Sequence, residues 1–193
     1  MKKNIFLVAI MAVSISLIFT ACKSKKPISV AANSVEVSVP FSGKDYQTDK
    51  NFFRSSQSGK SPDLATAKKI ALTNAKTELG VNIQAVVKAV TENYTNQRTI
   101  ADRQDFENKF EENARVVVNQ TLNDVKTIDE KIFREPDGKY TYWIAIEMNK
   151  NAISNSIANG FNKLSNSEKL QLDFDKHLFQ KIFDEEMEKF SNK

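Results

Sequence analysis

One cysteine and one histidine in 193 residues leave little room for the commoner kinds of protein chemistry. Cys22 has no second thiol to pair with, so an intramolecular disulfide is excluded. His177 stands alone, so neither a histidine-based triad nor a zinc site of histidines and cysteines can be assembled within the chain. The five glycines form no phosphate-cradling loop of the Walker or dinucleotide type. Long apolar runs are missing too. The longest, Ile5 to Phe19, is broken by Ser14 and Ser16 and falls short of the roughly 20 residues that a membrane-spanning helix needs.

An excess of positive charge is only nominal. The chain carries 28 basic and 24 acidic residues, for a net charge of +4, but its first 26 residues hold five lysines and no acid. Taking those five from the 28 leaves 23 basic residues against 24 acidic. The remainder is near neutral, and a nucleic-acid partner is not expected.

What the N-terminal region does contain reads as an export signal. Lys2 and Lys3 precede the apolar run, and Leu17-Ile18-Phe19-Thr20-Ala21-Cys22 places small residues directly before the only cysteine. This resembles a lipobox, although Phe19 stands where a smaller aliphatic residue is usual. Residues 1–21 are therefore expected to be a lipoprotein signal peptide and Cys22 the lipidated new N-terminus. Residues 22–34 would be a flexible tether. Each buried acyl methylene contributes about 0.8 kcal/mol, so several chains of palmitate length would hold such a protein on a membrane. Lys23, Lys25 and Lys26 follow the cysteine where acidic residues would favour the outer leaflet. The periplasmic face of the outer membrane is the expected site.

Along the mature chain, Val35, Val37 and Val39 alternate with Glu36 and Ser38, which predicts a strand over Ser34 to Phe41 ended at Pro40. Residues 42–61 are rich in Ser, Gly, Lys and Asp and read as a long loop. Loops of that length usually bind something or move, and Tyr46, Phe52, Phe53 and Arg54 inside it become the first candidates for a specific contact. Pro62 and Asp63 then open a helix whose apolar stripe runs Leu64, Ala67, Ala71, Ala75, Leu79, Val86, Val90, with a bend anticipated at Gly80. A polar joint is expected from Asn93 to Thr99. A second helix follows from about Asp102 to Asn119, with Phe106, Phe110, Ala114, Val117 and Val118 inward. Val125 to Phe133 reads as a strand with a bulge. Arg134-Glu135-Pro136-Asp137-Gly138 reverses the chain, and Tyr140 to Met148 alternates in the returning strand.

The C-terminal part is helical again. Ile153, Ile157, Phe161 and Leu164 share a face, an interruption is anticipated at Gly160 and Ser165 to Ser167, and Ser165 with Glu168 would form a capping box. In the last helix Phe174, Leu178 and Ile182 lie on one face, while Phe179, Phe183, Met187 and Phe190 centre about 120° away. Two readings remain open: a helix wedged into the core, or a partner surface formed by those four residues.

The order of elements, the alanine-spaced helix Ala67-Lys68-Lys69-Ile70-Ala71-Leu72-Thr73-Asn74-Ala75 and the hairpin strand Asp137-Gly138-Lys139-Tyr140-Thr141-Tyr142-Trp143-Ile144-Ala145-Ile146 resemble the LPP20 family of bacterial lipoproteins, relatives of the N-terminal domain of a flagellar assembly protein. The resemblance covers residues 35–150. It implies an α+β domain of dodecin-like arrangement, a small antiparallel sheet of about three strands packed by long helices, with no catalytic residues to carry over. Residues 151–193 would be a C-terminal helical extension packed on the same domain.

The expected function is a lipid-anchored, non-catalytic envelope module with no cofactor and no metal. It would contact an envelope protein or a second copy through the 42–61 segment or the last helix. One alternative is binding of a small apolar ligand or glycan by Tyr140, Tyr142 or Trp143. The other is a carboxylate-based hydrolase drawing on Asp102, Asp105, Glu107, Glu111 and Glu112 or on Asp184, Glu185, Glu186 and Glu188. Asp173 and His177 share a helical face at metal-ligand spacing, but with Lys176 beside them and no third ligand a solvated pair is favoured.

Overall fold

The computed structural model describes residues 37–98, 100, 102–167 and 174–192, the side chains of 164–167 excepted. Among these residues three strands and four helices follow in the order β1 (Phe52–Ser61), α1 (Leu64–Asn96), α2 (Arg103–Thr121), β2 (Lys126–Arg134), β3 (Tyr140–Asn149), α3 (Lys150–Ser167) and α4 (Lys176–Ser191). The protein is α+β, a small antiparallel sheet in the order β1-β3-β2 packed by long helices.

β3 is the central strand, and its alternation explains why. Tyr142, Ile144, Ile146 and Met148 are buried on one face, and Trp143, Ala145 and Glu147 occupy the other. The hairpin joining it to β2 closes where Gly138, at φ +80°, donates its N–H to the Glu135 carbonyl. The register shifts between Thr127 and Asp129, the bulge expected from the broken alternation.

α1 packs over β1 and β3, and its stripe is nearly the one that the spacing predicts. Ala67, Ala71, Ala75, Leu79, Val86 and Val90 are buried together with Ile83 and Val87, whereas Leu64 is 37% exposed. Asp63 caps the helix by accepting the Thr66 N–H. Gly80 does not divide the element, and the expected polar joint is absorbed into it, since α1 continues to Asn96 with Tyr94 and Thr95 buried. Tyr94 stacks on Phe106, and Leu122 approaches Gly80, so α2 runs back antiparallel along α1.

Two expectations at the N-terminal side are overturned. Residues 34–36 of the predicted strand lie outside the described residues, and 37–41 form no strand; Val37 and Val39 are exposed. The predicted loop over 42–61 is a loop only to residue 51, for Phe52–Ser61 is β1, paired along its whole length with β3. Its inward side chains are Phe53, Ser55, Gln57, Gly59 and Ser61, too polar to announce a buried face. Ser55, Gly59 and Ser61 suit their partner, because a stripe of alanines brings the backbone of α1 close to β1, whereas Phe53 lies against Phe183 of α4.

In the C-terminal region α3 passes unbroken through Gly160, where a Cβ would meet the Asn113 side chain at 2.8 Å. It extends to Ser167, and the capping box with Glu168 reaches outside the described residues. Asp175 caps α4 instead, accepting the Leu178 N–H.

The four residues of α4 proposed as a contact surface are core. Phe179, Phe183 and Met187 have no exposure, and Phe190 packs half-buried against them. Ile182 is buried too, so α4 is covered on both of its apolar faces. Phe53, Phe110, Phe161, Phe174, Phe179 and Phe183 form a connected series of rings through this core, with neighbouring centroids 4.9 to 6.5 Å apart.

Candidate functional site

The face of the sheet turned away from α1 carries Arg54 and Ser58 of β1, Trp143, Ala145 and Glu147 of β3, and Asp129 and Lys131 of β2. The chain ahead of β1 returns over this face as a strap. Phe41 is buried at φ +60°, a left-handed conformation that costs a residue with a Cβ about 1–2 kcal/mol. Its ring lies 4.9 Å from that of Tyr46, and the Lys131 ammonium stands over it at 5.3 Å. Tyr46, in a short 3₁₀ turn, donates its hydroxyl to Asp129 at 2.9 Å. That hydrogen bond raises the phenol pKa.

Beyond the strap, Thr48 grips the edge of β1, accepting the Arg54 N–H and donating to the Arg54 carbonyl. Asp49 accepts the N–H groups of Asn51 and Phe52 and turns the chain into the strand. Burial alone would raise the pKa of Asp49; these two bonds and the Arg54 guanidinium outweigh it and hold the carboxyl below its ordinary range.

Arg54 is the centre of the arrangement. Its guanidinium reaches Asp49 at 2.6 Å, Glu147 at 3.2 Å and the Gln47 carbonyl at 3.0 Å. Glu147 is 8% exposed and also accepts from Lys126 at 3.3 Å, so this nearly buried carboxylate is held between two cations. Beside it opens a cleft of about 380 Å³ whose walls are Phe52, Met148, Ala152 and Ile153, with Thr121, Asp124, Lys126, Asn149 and Ser156 around them. Its size is that of a small-ligand site. A second depression of about 390 Å³ between α1 and the end of α2 is lined mostly by Thr, Lys, Gln and Asn side chains and holds no buried charge.

The residues singled out in the sequence are thus divided. Phe52 and Arg54 stand at or beside the cleft, Tyr46 pins the strap, and Phe53 is fully buried against Phe183. Trp143 is half-buried on the strap side, opposite Ser58 and Lys131. Tyr142 points to the opposite face, where Lys68 lies over its ring, so the three aromatic residues of β3 do not share one pocket. Glu147, Met148 and Ile153 were missed as site residues, and the signal that could have found Glu147 is a lone acid at an otherwise apolar strand position.

Several of the carboxylates weighed for hydrolysis are engaged in pairs. Glu107 accepts from Arg103 and Thr95, Asp184 pairs with Lys150, and Glu186 with Lys189. Among the described residues no three His, Cys, Asp or Glu side chains gather as a metal site; Asp173 lies outside them. Neither a protein-family model nor a curated protein matches the chain.

Proposed function

We propose that this protein is a lipid-anchored, non-catalytic binding module of the cell envelope, tethered through Cys22 to the periplasmic face of the outer membrane and engaging an envelope component at the Phe52–Met148–Ile153 cleft. The observation that carries it is the cleft itself, an apolar recess whose one buried acid, Glu147, is already neutralised by Arg54 and Lys126. Such a lining offers contact area and a polar rim, and its acid is committed to ion pairs. The lipobox-like sequence before Cys22 supports the anchor, and the order β-α-α-β-β supports kinship with LPP20-type lipoproteins.

The test is site-specific photocrosslinking in intact cells, with the crosslinker placed at Lys126 on the cleft rim or at the exposed Lys69, near the start of α1 and the opposite end of β1 from Phe52. A discrete adduct at Lys126 that is absent at Lys69 and abolished by Phe52→Glu is expected. Equal capture at both positions, or none at either, contradicts the reading.

A further inference from the structure

The two edges of the sheet are finished differently. The outer edge of β1 is occupied by Thr48, bonded to both backbone groups of Arg54, and by Asn74, which donates to the Ser58 carbonyl. Among the described residues the only such bond along β2 is local, from the Glu130 N–H to the carboxylate of Asp129. The phase of the strand follows from two contacts. The Glu135 N–H reaches back to the Lys139 carbonyl across the hairpin, so odd-numbered positions face β3, and the Glu130 N–H, turned to Asp129, belongs to the opposite set. Ile132 and Arg134 therefore aim their backbone groups at an edge that no described residue occupies. Ile132 is 52% exposed and Phe133 45%. A row of unpaired donors and acceptors flanked by exposed apolar side chains is a template for another strand.

We infer that β2 pairs antiparallel with β2 of a second copy, joining two three-stranded sheets into one of six. Charge complementarity selects both the occupant and the register. A two-fold axis perpendicular to the sheet keeps each side chain on its own face, so the axis must pass through a residue. Centred on Glu130 it would oppose two glutamates, and centred on Lys131 two lysines. Centred on Phe133 it leaves little of β2 in the overlap. Centred on Ile132, the strand places Ile132 against its own copy, with the 132 backbone groups in bonding phase. The same register sets Glu130, which Lys68 of the same copy already meets at 2.9 Å, against Arg134 twice over as a second cation, the Glu130 N–H exchanging the Asp129 carboxylate for the Arg134 carbonyl of the second copy. The bulge at Thr127/Asp129 limits the flat, pairing-competent stretch to the half that this register uses.

The experiment measures the mass of the full-length chain in nonionic detergent by light scattering with sedimentation, over a range of concentrations, for the wild type, Glu130→Arg, Arg134→Glu and the double reversal. A wild-type dimer is expected. Each single reversal should weaken it at least tenfold, and the double reversal should restore it. Ile132→Arg should give monomer with an unchanged circular dichroism spectrum. A monomeric wild type overturns the inference, as does a dimer that survives both single reversals.

Discussion

A Cβ placed on Gly59 would stand 2.4 Å from the carbonyl oxygen of Ala67, closer than real Cβ contacts come. The amide nitrogen of Ala71 would lie at 2.5 Å, so the obstacle is helix backbone and cannot swing aside. The alanine stripe of α1 and the small residues of β1 are two halves of one close approach. Gly59→Ala is expected to cost about 3 kcal/mol, at the upper end of overpacking penalties, by urea denaturation. Gly43→Ala is the control, since nothing lies within 4 Å of its Cβ position.

Phe183 on α4 meets Phe53 on β1 edge-to-face at 6.5 Å, and both are fully buried. Truncating Phe183 to alanine should therefore cost about 3–5 kcal/mol in equilibrium unfolding. A loss under about 0.5 kcal/mol, the range of ordinary surface substitutions, would return α4 to the status of a partner surface.

Arg54 and Glu147 form a nearly buried pair, with side-chain exposures of 13% and 10%. Arg54→Met leaves Glu147 with only Lys126, itself 75% exposed. Because some water reaches the pair, the expected loss is about 2 kcal/mol, below the 3–5 kcal/mol of a dry one. Adding Glu147→Gln to Arg54→Met should recover part of it, which a double-mutant cycle reads directly.

The pH dependence has a definite sign. Asp49, Glu107 and Glu130 have folded pKa values below their unfolded ones, so their contribution is fully present above the ordinary carboxylate range and is lost as pH falls through the folded values. Stability should stay nearly level from pH 7 to about 5 and decline below about 4. Asp49→Asn should make that acid decline shallower in a series of denaturation midpoints.

How much of this was legible in the sequence depends on how each element is buried. The hairpin and the inner faces of α1 and α2 were readable because one side of each meets the core and the other meets water, and period 2 or 3.6 survives in the side chains. β1 was not readable, because its partner is a helix backbone, and serine and glycine at 55, 59 and 61 do the packing that larger apolar residues do elsewhere. α4 was ambiguous for the reverse reason: covered on two sides, it shows two apolar faces where a surface helix shows one. The strap and the cleft draw Phe41, Arg54, Asp129, Glu147 and Ile153 from segments remote in the chain, and no local pattern marks that meeting.

The proposal on which the rest depends is that the domain is held to a membrane through Cys22. Growing cells with an alkyne-tagged fatty acid and comparing wild type with Cys22→Ala tests it most directly. The account predicts a tagged wild-type protein in the membrane fraction and an untagged variant released from it. A wild-type protein without tag, or a variant as heavily tagged as the wild type, would contradict it.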